Sequence, residues 1–181
     1  MSEERKGDWI QTFTGIAFYP LDPRVEDIDI LDIAHALSYM CRFTGHTKVF
    51  YSVAEHSCRV AEILPRELKL WGLLHDASEA YLVDLPRPLK RHTSLGSIYR
   101  SIEDTLMLTI CNKFGLPPQM PKEVSIADDT LLATEARDLL GPKPIPWKDE
   151  GIPLFSTIHP WIRPKDIERF FLDIYMLLRE Q

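Results

Sequence analysis

Along most of the chain, apolar residues recur every three or four positions, the rhythm of a helix with one face turned to a core. Over residues 30–41 they fall at Ile30, Ile33, Ala34, Leu37 and Met40. Ser52, with Glu55 three residues on, forms a capping box that predicts a second helix, running to about Leu64 and ended by Pro65. A third predicted helix opens at Pro65-Arg66-Glu67 and continues through Tyr81. Leu85-Pro86-Arg87-Pro88 then predicts a rigid loop. Residues 97–114 form a fourth predicted helix, closed by Gly115 and two prolines, and residues 122–140 a fifth, closed by Gly141-Pro142. Residues 142–161 hold many of the prolines and predict a long irregular connection, before a last amphipathic helix over 164–179 with Pro164 in its first turn.

The N-terminal end follows a different rhythm. Residues 1–8 are polar and expected to be disordered. After them, β-branched and aromatic residues flank Thr14-Gly15, which predicts a short hairpin pairing 10–13 with 16–19; Pro20 and Pro23 stop it. Residues 43–50, with Gly45 among them, read as a loop. The expected architecture is a single all-α domain over 1–181 with a small N-terminal β-hairpin, without internal repeats.

Composition narrows the partners. A net charge of −6 argues against duplex nucleic acid or an anionic membrane, both of which demand a basic surface. A small anionic substrate remains open, because a metal and a few basic side chains can make a locally positive pocket. Three cysteines, Cys41, Cys58 and Cys111, without a CxxC pair, argue against a zinc knuckle or a disulfide framework and predict a reducing, cytoplasmic setting. The opening MSEERKGDW has no apolar signal core, and no stretch approaches the ~20 apolar residues of a membrane-spanning helix.

The candidate chemistry centres on His75-Asp76, in WGLLHDASEAYLVDLPRPLK. Glu79 is four residues beyond His75 and three beyond Asp76, on the same helix face. Three ionisable groups behind the apolar turn Leu70–Leu74 are costly to bury unless something pairs them, and a divalent cation is the simplest partner. His56 lies in line with Val53, Val60 and Ile63, and Asp128 with Val124, Leu131 and Leu132. Taken singly, a histidine or aspartate on such a stripe is more often a hydrogen-bonded core or capping group than a ligand. Taken together, two histidines and two aspartates from three helices make a mixed nitrogen and oxygen site suited to Mn, Co, Fe, Ni or Zn. Phe43, beside Arg42, reads equally as a core aromatic or as a stacking surface for a nucleobase. His35 reads as a buried, hydrogen-bonded histidine, and Glu135, Arg137 and Asp138 as a helix surface or an internal ion pair.

The segments CRFTGHTKVFYSVAEHS, LLHDASEAYLVDLPRPLK and ADDTLLATEARDLL resemble the HD-domain metal-dependent phosphohydrolases. Within them the chain is most similar to bacterial 5′-deoxynucleotidases and to the short bacterial and phage relatives that include dATP triphosphohydrolases. The resemblance covers most of residues 9–140. It implies an HD-type helical bundle with a divalent metal held by His56, His75, Asp76 and Asp128. It implies that Arg42 contacts substrate phosphate, that Glu79 orients or deprotonates the attacking water, that Asp84 serves the leaving group, and that Lys90 lies near the phosphates. The expected reaction is hydrolysis of the 5′ phosphoester of a deoxynucleotide, releasing triphosphate from a dNTP or phosphate from a dNMP. A cyclic or signalling nucleotide is the alternative substrate, and a catalytically silent nucleotide-binding or metal-binding module the alternative of another class. A homo-oligomer is expected, since relatives associate.

Overall fold

The computed structural model describes residues 4–148, 151–161 and 163–180, so residues 1–3 of the tail expected to be disordered lie outside the described residues. Among the described residues the chain is mostly helical, with one two-stranded antiparallel hairpin near the N-terminus. The hairpin pairs β1 (Ile10–Gln11) with β2 (Ala17–Phe18) in the register Ile10 to Phe18, so the strands are shorter than the sequence suggests. Its turn is fastened by Asp32, whose carboxylate accepts hydrogen bonds from the Thr14 amide at 2.7 Å and the Thr14 hydroxyl at 2.9 Å. The expected disorder does not extend to Arg5, whose guanidinium is bonded to Asp22 and Asp27.

Among the described residues eight α-helices follow: α1 (Ile30–Tyr39), α2 (Val53–Ile63), α3 (Lys69–Leu74), α4 (Glu79–Leu82), α5 (Arg87–His92), α6 (Ser94–Phe114), α7 (Lys122–Leu139) and α8 (Pro164–Arg179). Asp29 caps α1 through the Leu31 amide, and Ser52 caps α2 through the Glu55 amide. Only half of the expected capping box forms, because the Glu55 carboxylate turns instead to Arg59 and to the Trp161 amide.

Two local expectations are corrected. The continuous helix expected through Tyr81 is interrupted between α3 and α4. There the amides of Ala77, Glu79, Ala80 and Tyr81 bond to carbonyls three residues back, at Leu74, Asp76, Ala77 and Ser78. This tighter winding, common where a helix carries function, follows directly on His75 and Asp76. The loop expected at 85–88 instead leads into α5, since a proline in a first turn loses no helical hydrogen bond.

The helix α2 lies between two apolar cores. Phe18, Ile33, Leu37, Val53, Leu73, Leu74, Ile110 and Phe171 build one, and Tyr51, Val60, Trp71, Val124, Leu131 and Leu139 the other. Each fully buried side chain of this size contributes roughly 1.5–3 kcal/mol. Close approach of α3 to α2 depends on Gly72: a Cβ there would lie 2.4 Å from Leu64 Cδ1 and 3.2 Å from the Ala61 backbone. The irregular segment ahead of α8 is tied to α7 by Arg137, which donates to the Leu154 and Ser156 carbonyls, and by Asp138, which accepts from the Ile158 amide. Among the described residues no helix is long and apolar enough to cross a membrane.

Candidate metal centre

His56 on α2, His75 and Asp76 in the tightened turn, and Asp128 on α7 converge. The two Nε2 atoms are 3.2 Å apart. Asp128 Oδ1 lies 3.1 Å from His56 Nε2 and 4.0 Å from His75 Nε2; Asp76 Oδ2 lies 3.2 Å from His75 Nε2 and 3.8 Å from His56 Nε2. His56 is wholly buried, while the aspartates keep partial exposure on the open side.

The far sides of both imidazoles are committed. His56 Nδ1 donates to Glu135 Oε1 at 2.6 Å, and His75 Nδ1 donates to the Gly72 carbonyl at 2.7 Å. A carboxylate and a carbonyl can only accept, so each neutral ring must hold its proton on Nδ1 and turn a bare Nε2 lone pair inward. Two Nε2 atoms and two carboxylates then face one another, an arrangement that calls for positive charge among them, supplied by a proton on an imidazole or by a bound cation. Two ligands about 2.1 Å from one ion lie roughly 3.0–3.4 Å apart at octahedral or tetrahedral angles, which matches the imidazole pair. His56, His75 and Asp76 could therefore hold a metal ion, with their ligand atoms within 4.8 Å of one another.

Electrostatics around the group point the same way. Burial favours neutral Asp76, yet His75, His56 and Arg42 hold it well below the usual carboxylate range. Burial likewise opposes ionisation of Asp128, but the two histidines bring it down to about 2. For His56, burial and Arg42 work against protonation; Glu135 and Asp128 outweigh them and lift it to about 9. The site is thus built to place positive charge among its acceptors.

Arg42 runs along one side, with its Nε 3.1 Å from Glu135 Oε2 and an outer nitrogen 3.5 Å from Asp76 Oδ2. On the other side Glu79 is buried, one oxygen 3.7 Å from Lys90 Nζ and the other, Oε2, without a hydrogen-bond partner. Burial, with Asp76 and Asp84 nearby, raises its pKa well above the usual carboxylate value. Lys90 bonds to Glu103 at 2.8 Å. Phe43 packs beside Arg42, 5.5 Å from ring centre to guanidinium carbon.

All nine candidate residues thus fall in one region: a tight cluster of His56, His75, Asp76, Asp128 and Arg42, with Glu79, Lys90, Asp84 and Phe43 around it. His35, expected to be buried, is only half-buried, stacked on Phe13 at 3.7 Å and bonded to Glu168. Glu135, read together with Arg137 and Asp138 as a helix surface or an internal ion pair, is fully buried, pairs with Arg42 and joins His56 and Tyr51. Its spacing carried the signal, since Glu135 stands seven residues after Asp128, two helical turns along the same face. Glu103 and Gly72 had no such signal. A cleft of about 320 Å³ beside the hairpin and a groove of about 490 Å³ along α7 lie outside the cluster.

No protein-family model matches the chain. It is 46% identical over 131 residues to the uncharacterized protein YfdR of Escherichia coli (strain K12), with 72% of each chain covered. It is 35% identical over 149 residues to the uncharacterized protein RCAP_rcc00048 of Rhodobacter capsulatus, with 75% of each covered. At that identity and coverage, the chain belongs to the family of YfdR and RCAP_rcc00048.

Proposed function

We propose that this protein is an HD-domain metal-dependent phosphohydrolase that cleaves the 5′ phosphoester of a deoxynucleotide. The observation that carries the reading is the convergence of two imidazole lone pairs and two carboxylates, beside an arginine and a buried carboxyl with one uncommitted oxygen.

In this reading His56, His75, Asp76 and Asp128 hold a divalent ion of the Mn, Co, Fe, Ni or Zn class, for which a mixed nitrogen and oxygen set is suited. When bound, such an ion supplies charge that polarises a phosphoryl oxygen and lowers the pKa of a water. Arg42, always charged and held in place by Glu135, neutralises charge developing on the phosphoryl oxygens. Glu79, its pKa raised by burial and by its acidic neighbours, takes a proton from the attacking water through its uncommitted oxygen. Asp84 serves the leaving group, and Lys90 balances Glu79 and reaches the phosphates. Three free cysteines, two of them buried, suit a reducing cytoplasm.

The test is a product assay. Metal-stripped protein is given the four dNMPs and four dNTPs with Mn, Co or Zn added back, and phosphate is resolved from triphosphate. Metal-dependent release of either from a deoxynucleotide supports the reading and fixes which phosphoester is cut. No release from any of the eight contradicts it.

A further inference from the structure

We infer that Glu103 is a positioning residue of the site: with Tyr99, one turn earlier on α6, it holds the Lys90 ammonium beside Glu79, where a substrate phosphate would meet it. This rests on the phosphohydrolase reading and deepens it. Glu103 Oε1 accepts from Lys90 Nζ at 2.8 Å, while Glu79 Oε1 is 3.7 Å from that nitrogen, beyond a hydrogen bond. The Tyr99 ring centre lies 5.0 Å from the same nitrogen, within reach of a cation–π contact. An ammonium carries three N–H donors. The bond to Glu103 commits one of them, and a phosphate can take the others.

One face of α6 also grips the backbone that leads to Lys90. Gly96, Tyr99, Arg100 and Glu103 follow the three-and-four spacing that puts side chains on one side of a helix. Gly96 comes so close that a Cβ there would collide with the Leu89 and Lys90 carbonyls. Arg100 donates to the Lys90 carbonyl. The Tyr99 hydroxyl donates to the Val83 carbonyl at 2.5 Å. Val83 is β-branched yet adopts left-handed backbone, at φ 73°, which makes it a genuine outlier. Such strain persists where the surroundings hold it, and here it turns the chain immediately before Asp84.

Packing α5 on α6 needs no charges. The Glu103 and Lys90 side chains keep only 18% and 22% exposure, so each loses solvation that an ion pair restores only in part. Burial raises the pKa of Glu103. Burial also opposes charge on Lys90, but Glu103 and Glu79 outweigh it and keep the ammonium protonated. Apolar side chains would join the two helices at lower cost. A lysine kept charged and aimed past its anchor at a buried carboxyl suits a site that receives an anion.

The test uses Mn-loaded wild type, Glu103→Gln, Lys90→Met and the double variant, with metal content as the check on folding. For the deoxynucleotide with the highest turnover, kcat/KM falls about 10-fold or more in Glu103→Gln, chiefly through KM, the scale of one charge-assisted hydrogen bond. The double variant is no worse than Lys90→Met alone, because Glu103 acts through Lys90. Acetylation of the lysines by acetic anhydride, read by mass spectrometry, gives a second measure that needs no turnover. In wild type Lys90 is acetylated more slowly than the exposed Lys113, inorganic phosphate slows it further, and Glu103→Gln speeds it. Losses that add in the double variant overturn the proposal, while turnover keeps the phosphohydrolase reading. Lys90 acetylation that ignores Glu103→Gln or phosphate overturns the proposal whether or not a phosphoester is cut. Acetylation that responds to both, without hydrolysis of any phosphoester, upholds the placement of Lys90 by Glu103 and defeats the phosphohydrolase reading.

Discussion

Glu135 Oε1 accepts the Nδ1 proton of His56 at 2.6 Å, and the same carboxylate holds Arg42 and the Tyr51 hydroxyl. One buried group therefore fixes the tautomer of a candidate ligand histidine and the position of the arginine beside the site. Burial pushes Glu135 toward neutrality, but Arg42 and His56 keep its pKa below the usual value, so it is charged at neutral pH.

Glu135→Gln keeps the shape of that side chain and removes its charge. The imidazole then loses its orienting carboxylate, and metal affinity is expected to fall about 10- to 100-fold, the range for such supporting partners. Titration of metal-stripped protein with Co(II), followed by visible absorption, measures this. Unchanged affinity would show that Glu135 serves only packing.

Glu79→Gln is expected to bind metal like wild type and to lose about 100-fold or more in kcat, because a general base is removed and no proposed ligand is. Single-turnover kinetics at saturating metal, on the nucleotide with the highest turnover, give the comparison. An unaltered kcat would make Glu79 structural and leave its buried, unpartnered oxygen without a role.

The connection ahead of α8 carries a pH dependence of its own. A hydrogen bond from Arg137 is the largest influence on Asp138 and holds its pKa below the ordinary carboxylate value, with the Ile158 amide adding to it. A folded-state pKa below the unfolded one contributes stability above the unfolded value, and that contribution disappears as pH falls through the folded one. Asp138→Asn should cost about 1 kcal/mol or less near neutrality, given partial solvent screening. Thermal melts of the two proteins should converge as pH drops below the carboxylate range. A gap that persists in acid would assign the effect to packing.

The helical rhythm made most of the fold legible. The stripes in α1, α7 and α8, the Ser52 cap and the Gly115 terminus all form where the residues place them. The break after Leu74 was hidden because no glycine or proline stands at the break itself, where the backbone changes to bonds three residues back. The ligand-type residues were visible because charged groups on apolar stripes demand partners. The Glu103 contact with Lys90 was not, because it depends on how α5 folds back on α6.

The most direct test of the central claim is stoichiometric metal binding compared with turnover, in wild type and in Asp76→Ala. Metal-stripped wild type should regain deoxynucleotide hydrolysis in proportion to bound Mn(II) or Co(II), while Asp76→Ala should lose both metal and activity. Full turnover by metal-free protein, or an Asp76→Ala variant that binds and hydrolyses like wild type, would contradict the account.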